Sequence, residues 1–291
     1  MKQSHAKSAR ALVLGGGGVA GIAWELGMLL GLYEAGIDGR NADLMVGTSA
    51  GSVVGAQIAS GMDLEGLFAA QLAPAEQSKE RMVAFDLTQM TEAFRQAPAG
   101  AGSDVKVVRA SIGAYALAAP TIAEAERRSI IAARLPVHTW SQKHLLIVAV
   151  DTASGEDFII HRESGVSLVD AVAASCAVPG IWPPVTIAGH RYMDGGVRSA
   201  TNADLARGAE RILILNPLGA NANLFGTGPA KEIAALQREG SQVLMIEPDA
   251  ASTTAIGQNP LDPATRAPSA MAGRTQGREL AASVAAFWSS V

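Results

Sequence analysis

Short apolar runs recur along the chain, and most of them end at a glycine or a polar residue. Runs of this kind predict strands that are buried on both faces, as in a parallel sheet. The predicted strands are residues 11–14 (ALVL), 44–46 (LMV), 144–151 (HLLIVAVD), 157–161 (DFIIH), 211–216 (RILILN) and 242–248 (QVLMIEP).

Helical patterns follow the first two of these strands. Residues 21–35 carry apolar side chains at helical spacing, and Gly36 is a typical stop. Residues 50–60 are small and apolar and predict a second helix, packed tightly on the sheet. A further helix is predicted over about residues 270–289, after a stretch with loop composition at residues 251–269.

Alternating strands and helices are typical of an α/β protein with a mostly parallel central sheet and helices on both faces. A length of 291 residues is compatible with a single large domain over residues 1–291. Residues 63–135 are rich in alanine and have helical periodicity, which predicts a helical cap or insertion within that domain. The pattern does not specify the order of the strands.

Composition and charge narrow the range of partners. Hydrophobic residues make up 48% of the chain and charged residues 17%, which supplies a core and is unlike a disordered chain. The formal net charge is -4, and the sequence has no basic run interleaved with aromatic residues. Nucleic acid is therefore not an expected partner.

The number and spacing of cysteines and histidines indicate the cellular compartment and whether a metal site is expected. Cys176 is the single cysteine, so an internal disulfide is impossible, and the five histidines lack zinc-ligand spacing. We therefore expect a reducing, cytoplasmic compartment, no metal site and no cofactor.

The sequence has no pattern of a secretion signal or a membrane span. The basic first ten residues lead directly into a predicted strand and four glycines, without a convincing cleavage site. The uncharged residues 171–189 contain three prolines, which prevent one spanning helix. Contact between an exposed apolar patch and a membrane surface stays an open alternative, because a linear sequence does not reveal patches.

A serine lies between two glycines where a predicted strand turns into a helix. Residues 45–55, MVGTSAGSVVG, place Ser49 between Gly47 and Gly51. In a GxSxG nucleophile elbow, the serine hydroxyl projects from a strained corner that only small flanking residues allow. The alternative is that Ser49 merely caps the following helix.

A glycine-rich loop, GGGVAG, occupies residues 16–21 directly after the first predicted strand and ends at Gly21. It matches GxGxxG, the pattern of a dinucleotide-binding turn. That fold needs an acidic residue at the end of the second strand, where this sequence has Gly47. A nucleotide-binding oxidoreductase is therefore the alternative rather than the first interpretation of the loop.

The same loop suits an oxyanion hole. Backbone N–H groups at Gly16, Gly17 and Gly18, near a helix N-terminus, can hold an oxyanion as well as a phosphate. Parallel strands with right-handed crossovers bring the carboxyl ends of successive strands to one edge of the sheet. The loop and Ser49 are therefore expected to be neighbours.

A nucleophilic serine needs a neighbouring base. One alternative is His161 or His190, with Asp151 or Asp170 as the acid. In an ordinary α/β-hydrolase the histidine lies late in the chain, but residues 191–291 contain none. The histidines are therefore the weaker candidates.

Asp194 is the second candidate base. The motif MDGG places it at the end of a short strand, where Gly195 and Gly196 let the backbone turn away sharply. The surrounding AGHRYMDGG is typical of the turn and second strand of a hairpin. An Asp-Gly pair is also ordinary turn chemistry, so Asp194 alone carries little weight.

Together these motifs resemble those of the patatin-like phospholipase family, whose members combine a glycine-rich oxyanion loop, a GxSxG serine and a DGG or DGA aspartate. All three occur here in the family's order, and residues 171–196 are similar to the family's stretch of small residues and prolines before the aspartate. The resemblance extends over about residues 11–216. It implies a three-layer patatin-like fold and a serine esterase or lipid acyl hydrolase.

The resemblance also implies roles for individual residues. Ser49 would attack the carbonyl of an acyl ester or phospholipid, and Asp194 would act as general base without a histidine. The N–H groups around Gly16, Gly17 and Gly18 would stabilise the oxyanion. Five further glycines would support the motifs: Gly21, Gly47, Gly51, Gly195 and Gly196.

Ala20 departs from the family pattern, which commonly has a basic residue before the last glycine of the loop. The departure weakens the expectation of an anionic phospholipid headgroup, and a catalytically silent lipid-binding domain is a further alternative. Cys176 is expected to be a buried small residue. Trp182 is expected to pack in the core rather than to line an acyl pocket.

Overall fold

The computed structural model describes residues 9–74, 77, 79–82, 104–219 and 228–288. Its strands are β1 (Arg10–Leu14), β2 (Leu44–Gly47), β3 (Leu145–Asp151), β4 (Asp157–Ile160), β5 (Val185–Ile187), β6 (His190–Asp194), β7 (Arg211–Leu215) and β8 (Gln242–Ile246). Its helices are α1 (Gly18–Glu34), α2 (Ala50–Ala59), α3 (Leu64–Leu72), α4 (Val105–Ala118), α5 (Glu124–Arg134), α6 (Leu168–Ser175), α7 (Pro229–Arg238), α8 (Ala250–Ile256) and α9 (Arg266–Trp288).

One sheet contains all of the described strands, in the order β5-β6-β3-β2-β1-β7-β8, with β4 also paired to β3. The strands from β3 to β8 in this order run parallel. The pairings that involve β4, β5 and β6 are antiparallel. The predicted mostly parallel α/β sheet is therefore confirmed. The antiparallel strands β4, β5 and β6 at one end of the sheet could not be distinguished from parallel strands by their short apolar runs.

Alternate residues of the central strands bury their side chains on opposite faces of the sheet. In β1, Leu12 and Leu14 belong to the larger core, which includes apolar residues of α1, α2 and α6. Ala11 and Val13 belong to a second core, which includes Leu236 of α7. Helices on both faces give the predicted three layers, and they explain why the central strands carry few polar residues.

β2 and β6 both pair with the same edge of β3, one beyond the other. β4 pairs with the opposite edge of β3. Gly47 at the end of β2 pairs with Ile147, and Asp194 at the end of β6 pairs with Ala149. Since β2 and β6 run in opposite directions, their ends converge two residues apart on β3, or about 7 Å along the strand. The chain leaves β2 towards Ser49, so this edge brings the two predicted catalytic residues together.

The predicted starts of two helices and one predicted loop are wrong. α1 begins at Gly18 rather than at residue 21, because periodicity reveals a helix only from its first large apolar residue. The sequence predicts a loop over residues 251–269, where the structure has α8 and the start of α9 at Arg266. The Asp249 carboxylate accepts a hydrogen bond from Ser252 N–H at 2.7 Å and caps α8, a signal that the loop composition masks.

The middle of the chain is helical where the structure describes it. α3, α4 and α5 lie within the predicted helical region 63–135. Residues 75–76, 78 and 83–103 of that region lie outside the described residues, as does Ser289 at the end of the predicted last helix. Over the described ranges, no helix combines the length and the apolar content that a membrane span requires.

Candidate active site

The turn between β2 and α2 places Ser49 at a sharp corner. Ser49 has a φ of 51° and a ψ of -112°, which a residue with a side chain adopts only where its surroundings hold it. A Cβ on Gly51 would lie 2.0 Å from Leu14 O, and one on Gly47 would lie 2.6 Å from Gly51 O. Both glycines are therefore required for the close approach of α2 to the sheet, as the elbow motif predicts.

Three side chains hold the backbone of Ser49. Its N–H donates to Ser175 Oγ at 3.0 Å. Its carbonyl oxygen accepts hydrogen bonds from Ser52 Oγ at 2.7 Å and from Cys176 Sγ at 3.2 Å. Cys176 is buried, as predicted, but it also fixes the elbow. No motif marks Ser175, because its contact joins segments 126 residues apart, and none marks Ser52, although it lies only three residues after Ser49.

Asp194 ends the second strand of the predicted hairpin, which β5 and β6 form. Its Oδ1 accepts a hydrogen bond from Gly196 N–H at 2.7 Å. A Cβ on Gly195 would lie 2.3 Å from Val148 O, so glycine is required where the chain turns away. Oδ2 is buried and, among the described residues, has no hydrogen bond of ordinary geometry, although the Ser49 hydroxyl is close enough to influence the carboxyl.

Burial raises the pKa of Asp194 to about 7. The Gly196 hydrogen bond, the Ser49 hydroxyl and the positive charge of Arg127 each lower this pKa, but burial outweighs them. A carboxyl group with a pKa near neutrality is substantially ionised at neutral pH and still has a high affinity for a proton. The environment of Asp194 therefore suits a general base.

The glycine-rich loop lies beside Ser49, as expected, since a Cβ on Gly16 would be 3.8 Å from Ser49 Cβ. The predicted set of three oxyanion donors needs a correction, because Gly16 N–H already donates to Ala200 O at 2.9 Å. The N–H groups of Gly17 and Gly18 have no acceptor within the described parts of the chain. Two of the three predicted donors are therefore available.

A segment near the carboxyl terminus covers this loop. Pro260 O accepts a hydrogen bond from Ala20 N–H at 3.0 Å, and a Cβ on Gly18 would lie 2.5 Å from the same oxygen. Leu261 lines a cavity of about 10 Å³ together with Ser49. A cavity of this size holds about one water molecule, which is less space than an ester group needs.

The family comparison agrees with this arrangement. A family model described as patatin-like phospholipase matches residues 12–207, which is more than half of the chain and includes all three motifs. The chain belongs to the patatin-like phospholipase family. Membership supports a lipid acyl hydrolase as the class of activity and agrees with the three-layer fold.

Two solved structures are similar to this patatin-like chain. VipD from Legionella pneumophila has 16% sequence identity and a TM-score of 0.44, and the match covers 96% of this chain and 68% of VipD. The type III effector protein ExoU also has 16% identity, with a TM-score of 0.36 and coverage of 94% and 54%. This chain therefore spans about two thirds of the first protein and about half of the second.

One histidine alternative forms a pair, but away from the serine. His190 Nδ1 lies 3.2 Å from Asp151 Oδ2, and the His190 side chain is 66% exposed. His190 begins β6 and Asp194 ends it, which separates them by about 13 Å along the strand. In this patatin-like protein, Asp194 rather than His190 is the titratable group next to Ser49.

The cavity beside Ser49 also contains a buried arginine that sequence reasoning missed. Arg127 of α5 lines it together with Trp182, and the guanidinium carbon lies 3.7 Å from the centre of the indole ring. Trp182 is buried, as predicted for a core residue, but it faces the candidate site as well. Arg127 is visible in the sequence as a charged residue, but nothing in the sequence around it indicates that α5 lies next to Ser49.

Proposed function

We propose that this protein is a serine esterase that hydrolyses acyl esters, phospholipids and lysophospholipids among them, with Ser49 as nucleophile and Asp194 as general base. The observation that carries the proposal is the convergence of β2 and β6 on one edge of β3. It leaves a buried carboxylate oxygen without a hydrogen-bond partner, within the described residues, beside the serine of a strained elbow.

In acylation, the Asp194 carboxylate takes the proton of the Ser49 hydroxyl while Oγ bonds to the carbonyl carbon of the ester. The electron pair of the C=O bond moves to the carbonyl oxygen, which becomes an oxyanion. The N–H groups of Gly17 and Gly18, at the positive end of α1, donate to this oxygen. When the C–O bond to the alcohol breaks, the leaving alkoxide takes the proton from Asp194.

Deacylation repeats these steps with water as the nucleophile. Asp194 takes a proton from water as the water oxygen bonds to the acyl carbon, and the oxyanion forms again. The bond to Ser49 Oγ then breaks, and the serine recovers its proton from Asp194. The sum is an ester plus water giving a carboxylic acid and an alcohol, with both residues returned to their starting states.

A fluorophosphonate probe and a p-nitrophenyl acyl ester test the proposal. We expect the probe to label Ser49, and both Ser49→Ala and Asp194→Asn to lower turnover about a thousandfold or more. Matched controls are Ser60→Ala, at the end of the same helix α2, and Asp170→Asn, whose carboxylate pairs with Arg128 instead. Both controls should leave turnover unchanged.

Normal turnover by Ser49→Ala would overturn the proposal. Binding of lipid vesicles without hydrolysis, over a panel of acyl lengths, would instead favour the catalytically silent lipid-binding domain. Calorimetry with NAD(P) and FAD tests the oxidoreductase alternative, which predicts binding that Ser49→Ala does not affect.

A further inference from the structure

Arg198 is a half-buried cation that follows the proposed base Asp194 by four residues. Its Nε donates a hydrogen bond to Asp157 Oδ2 at 2.7 Å, and its Nη2 donates to Asp204 Oδ2 at 2.6 Å. Its Nη1 donates at 2.7 Å both to Asp204 Oδ1 and to Asn202 Oδ1. Because two carboxylates fix the plane of the guanidinium, the donor that faces Asn202 has a fixed direction.

The side chain of Asn202 continues this contact to both catalytic segments. Asn202 is fully buried. While its Oδ1 accepts from Arg198, its Nδ2 donates to Thr48 Oγ1 and to Gly195 O. In the chain, Thr48 precedes the proposed nucleophile and Gly195 follows the proposed base. One amide therefore joins a charged guanidinium to the neighbours of both proposed catalytic residues.

The charge of Arg198 acts on the amide in two ways. A carboxamide has two ends of nearly equal size that only hydrogen bonds distinguish, and a donor at Oδ1 favours the orientation in which Nδ2 faces Thr48 and Gly195. A positive charge at Oδ1 also polarises the amide and makes its N–H groups stronger donors. Without Arg198, the amide would hold the two segments less tightly. Proton transfer between a serine and its base is sensitive to such small displacements.

We propose that Arg198 is a positioning residue for hydrolysis, which orients the Asn202 amide and thereby holds Ser49 and Asp194 at their working separation. The inference rests on the proposed esterase function. Arg198 acts through Asn202 and not on the substrate. Its loss should therefore lower kcat and leave KM nearly unchanged.

Arg109 of α4 offers a matched control, because it pairs with the same aspartate. Its Nη1 donates to Asp157 Oδ1 at 2.8 Å, and its side chain is 12% exposed, against 13% for Arg198. Among the described residues, Arg109 donates no hydrogen bond to Asn202. The two arginines therefore share burial and an ion-pair partner but differ in their contact with the amide.

The first test is steady-state kinetics with a p-nitrophenyl acyl ester. We expect Arg198→Gln to lower kcat about tenfold with KM within about twofold of wild type, and Arg109→Gln to leave both nearly unchanged. If Arg198→Gln does not fold, Arg198→Lys and Arg109→Lys take their place, since lysine keeps the charge but lacks the fork. A normal kcat in the Arg198 variant, or an equal loss in the matched Arg109 variant, would overturn the inference.

A double-mutant cycle separates positioning from general destabilisation. If Arg198 acts through the Asn202 amide, its replacement should have no further effect once that amide is removed. We expect the kcat of Arg198→Gln combined with Asn202→Ala to lie within about twofold of that of Asn202→Ala alone. Losses that multiply in the double variant would contradict a role through Asn202.

Hydrogen exchange keeps the inference separate from the esterase proposal, because it needs no turnover. Backbone amides in peptides that contain Thr48 or Gly195 should exchange about tenfold faster in Arg198→Gln than in wild type, and at the wild-type rate in Arg109→Gln. Unchanged exchange in Arg198→Gln would contradict the inference. The expected exchange in a protein whose wild type hydrolyses no ester would instead contradict the esterase proposal and leave the link through Asn202 in place.

Discussion

Asn202 Nδ2 donates a hydrogen bond to Thr48 Oγ1 at 2.9 Å and lies 3.2 Å from Gly195 O. The two acceptors belong to separate segments, because Thr48 precedes Ser49 and Gly195 follows the DGG aspartate. One side-chain amide therefore links the nucleophile elbow to the loop of the proposed base. Asn202 has a φ of 53°, a left-handed conformation that asparagine tolerates better than most residues.

Replacing Asn202 should therefore impair catalysis and stability together. We expect Asn202→Ala to lower kcat about tenfold or more with a smaller change in KM, because the two catalytic segments lose their link. The free energy of unfolding should fall by about 1–3 kcal/mol, since buried acceptors lose their donor. Steady-state kinetics and urea unfolding measure the two effects. Asn202→Gly is the control that separates the side chain from the backbone, because glycine adopts the positive φ without strain but lacks the amide. A normal kcat in Asn202→Gly would contradict a positioning role for the Asn202 amide.

The pH dependence of catalysis should follow Asp194. A general base works only when ionised, and burial raises the pKa of Asp194 to about 7. We therefore expect kcat/KM for a neutral ester to rise with pH and to reach half of its maximum near this value. A rise centred near the ordinary aspartate pKa of about 4 would contradict a buried base.

The same pKa predicts that Asp194 destabilises the folded protein at alkaline pH. A carboxyl whose pKa is higher when folded than when unfolded binds more protons in the folded state, so stability falls as pH rises from about 4 to the folded pKa. Asp194→Asn removes this ionisation. We expect a higher Tm than wild type at pH about 8 and a much smaller difference at pH about 4. Equal Tm differences at both pH values would contradict this assignment.

Two glycines of α2 should respond very differently to alanine. A Cβ on Gly51 would lie 2.0 Å from the backbone oxygen of Leu14, whereas one on Gly55 meets first the side-chain end of Leu145, at 3.0 Å. We expect Gly51→Ala to abolish folding or to cost several kcal/mol. Gly55→Ala should cost little, since Leu145 can shift and alanine favours a helix by about 1 kcal/mol over glycine. Thermal unfolding measures both; similar losses in both variants would contradict the steric argument.

Much of the architecture follows from local patterns. The apolar runs predict the central strands, because strands covered by helices on both faces need continuous apolar side chains. The elbow is predictable because its requirement is steric and local: Gly47 and Gly51 lie within two residues of Ser49. Helix boundaries were harder to predict from the sequence, because the start of α8 is marked by the cap residue Asp249 at the edge of a segment with loop composition.

The pairing of distant segments was decided by tertiary structure alone. The sequence does not reveal that β2 and β6 pair with the same edge of β3. Nor does it reveal that Ala200 O accepts a hydrogen bond from Gly16 N–H, or that Arg127 lines the same cavity as Ser49. Each depends on residues far apart in the chain, whose spacing carries no information on distance in space. By itself the sequence determined which residues can act as nucleophile, base or oxyanion donor, and at which glycines the backbone can turn. Packing determined which of these groups meet, because only the folded sheet sets their distances, their burial and thus the pKa of Asp194.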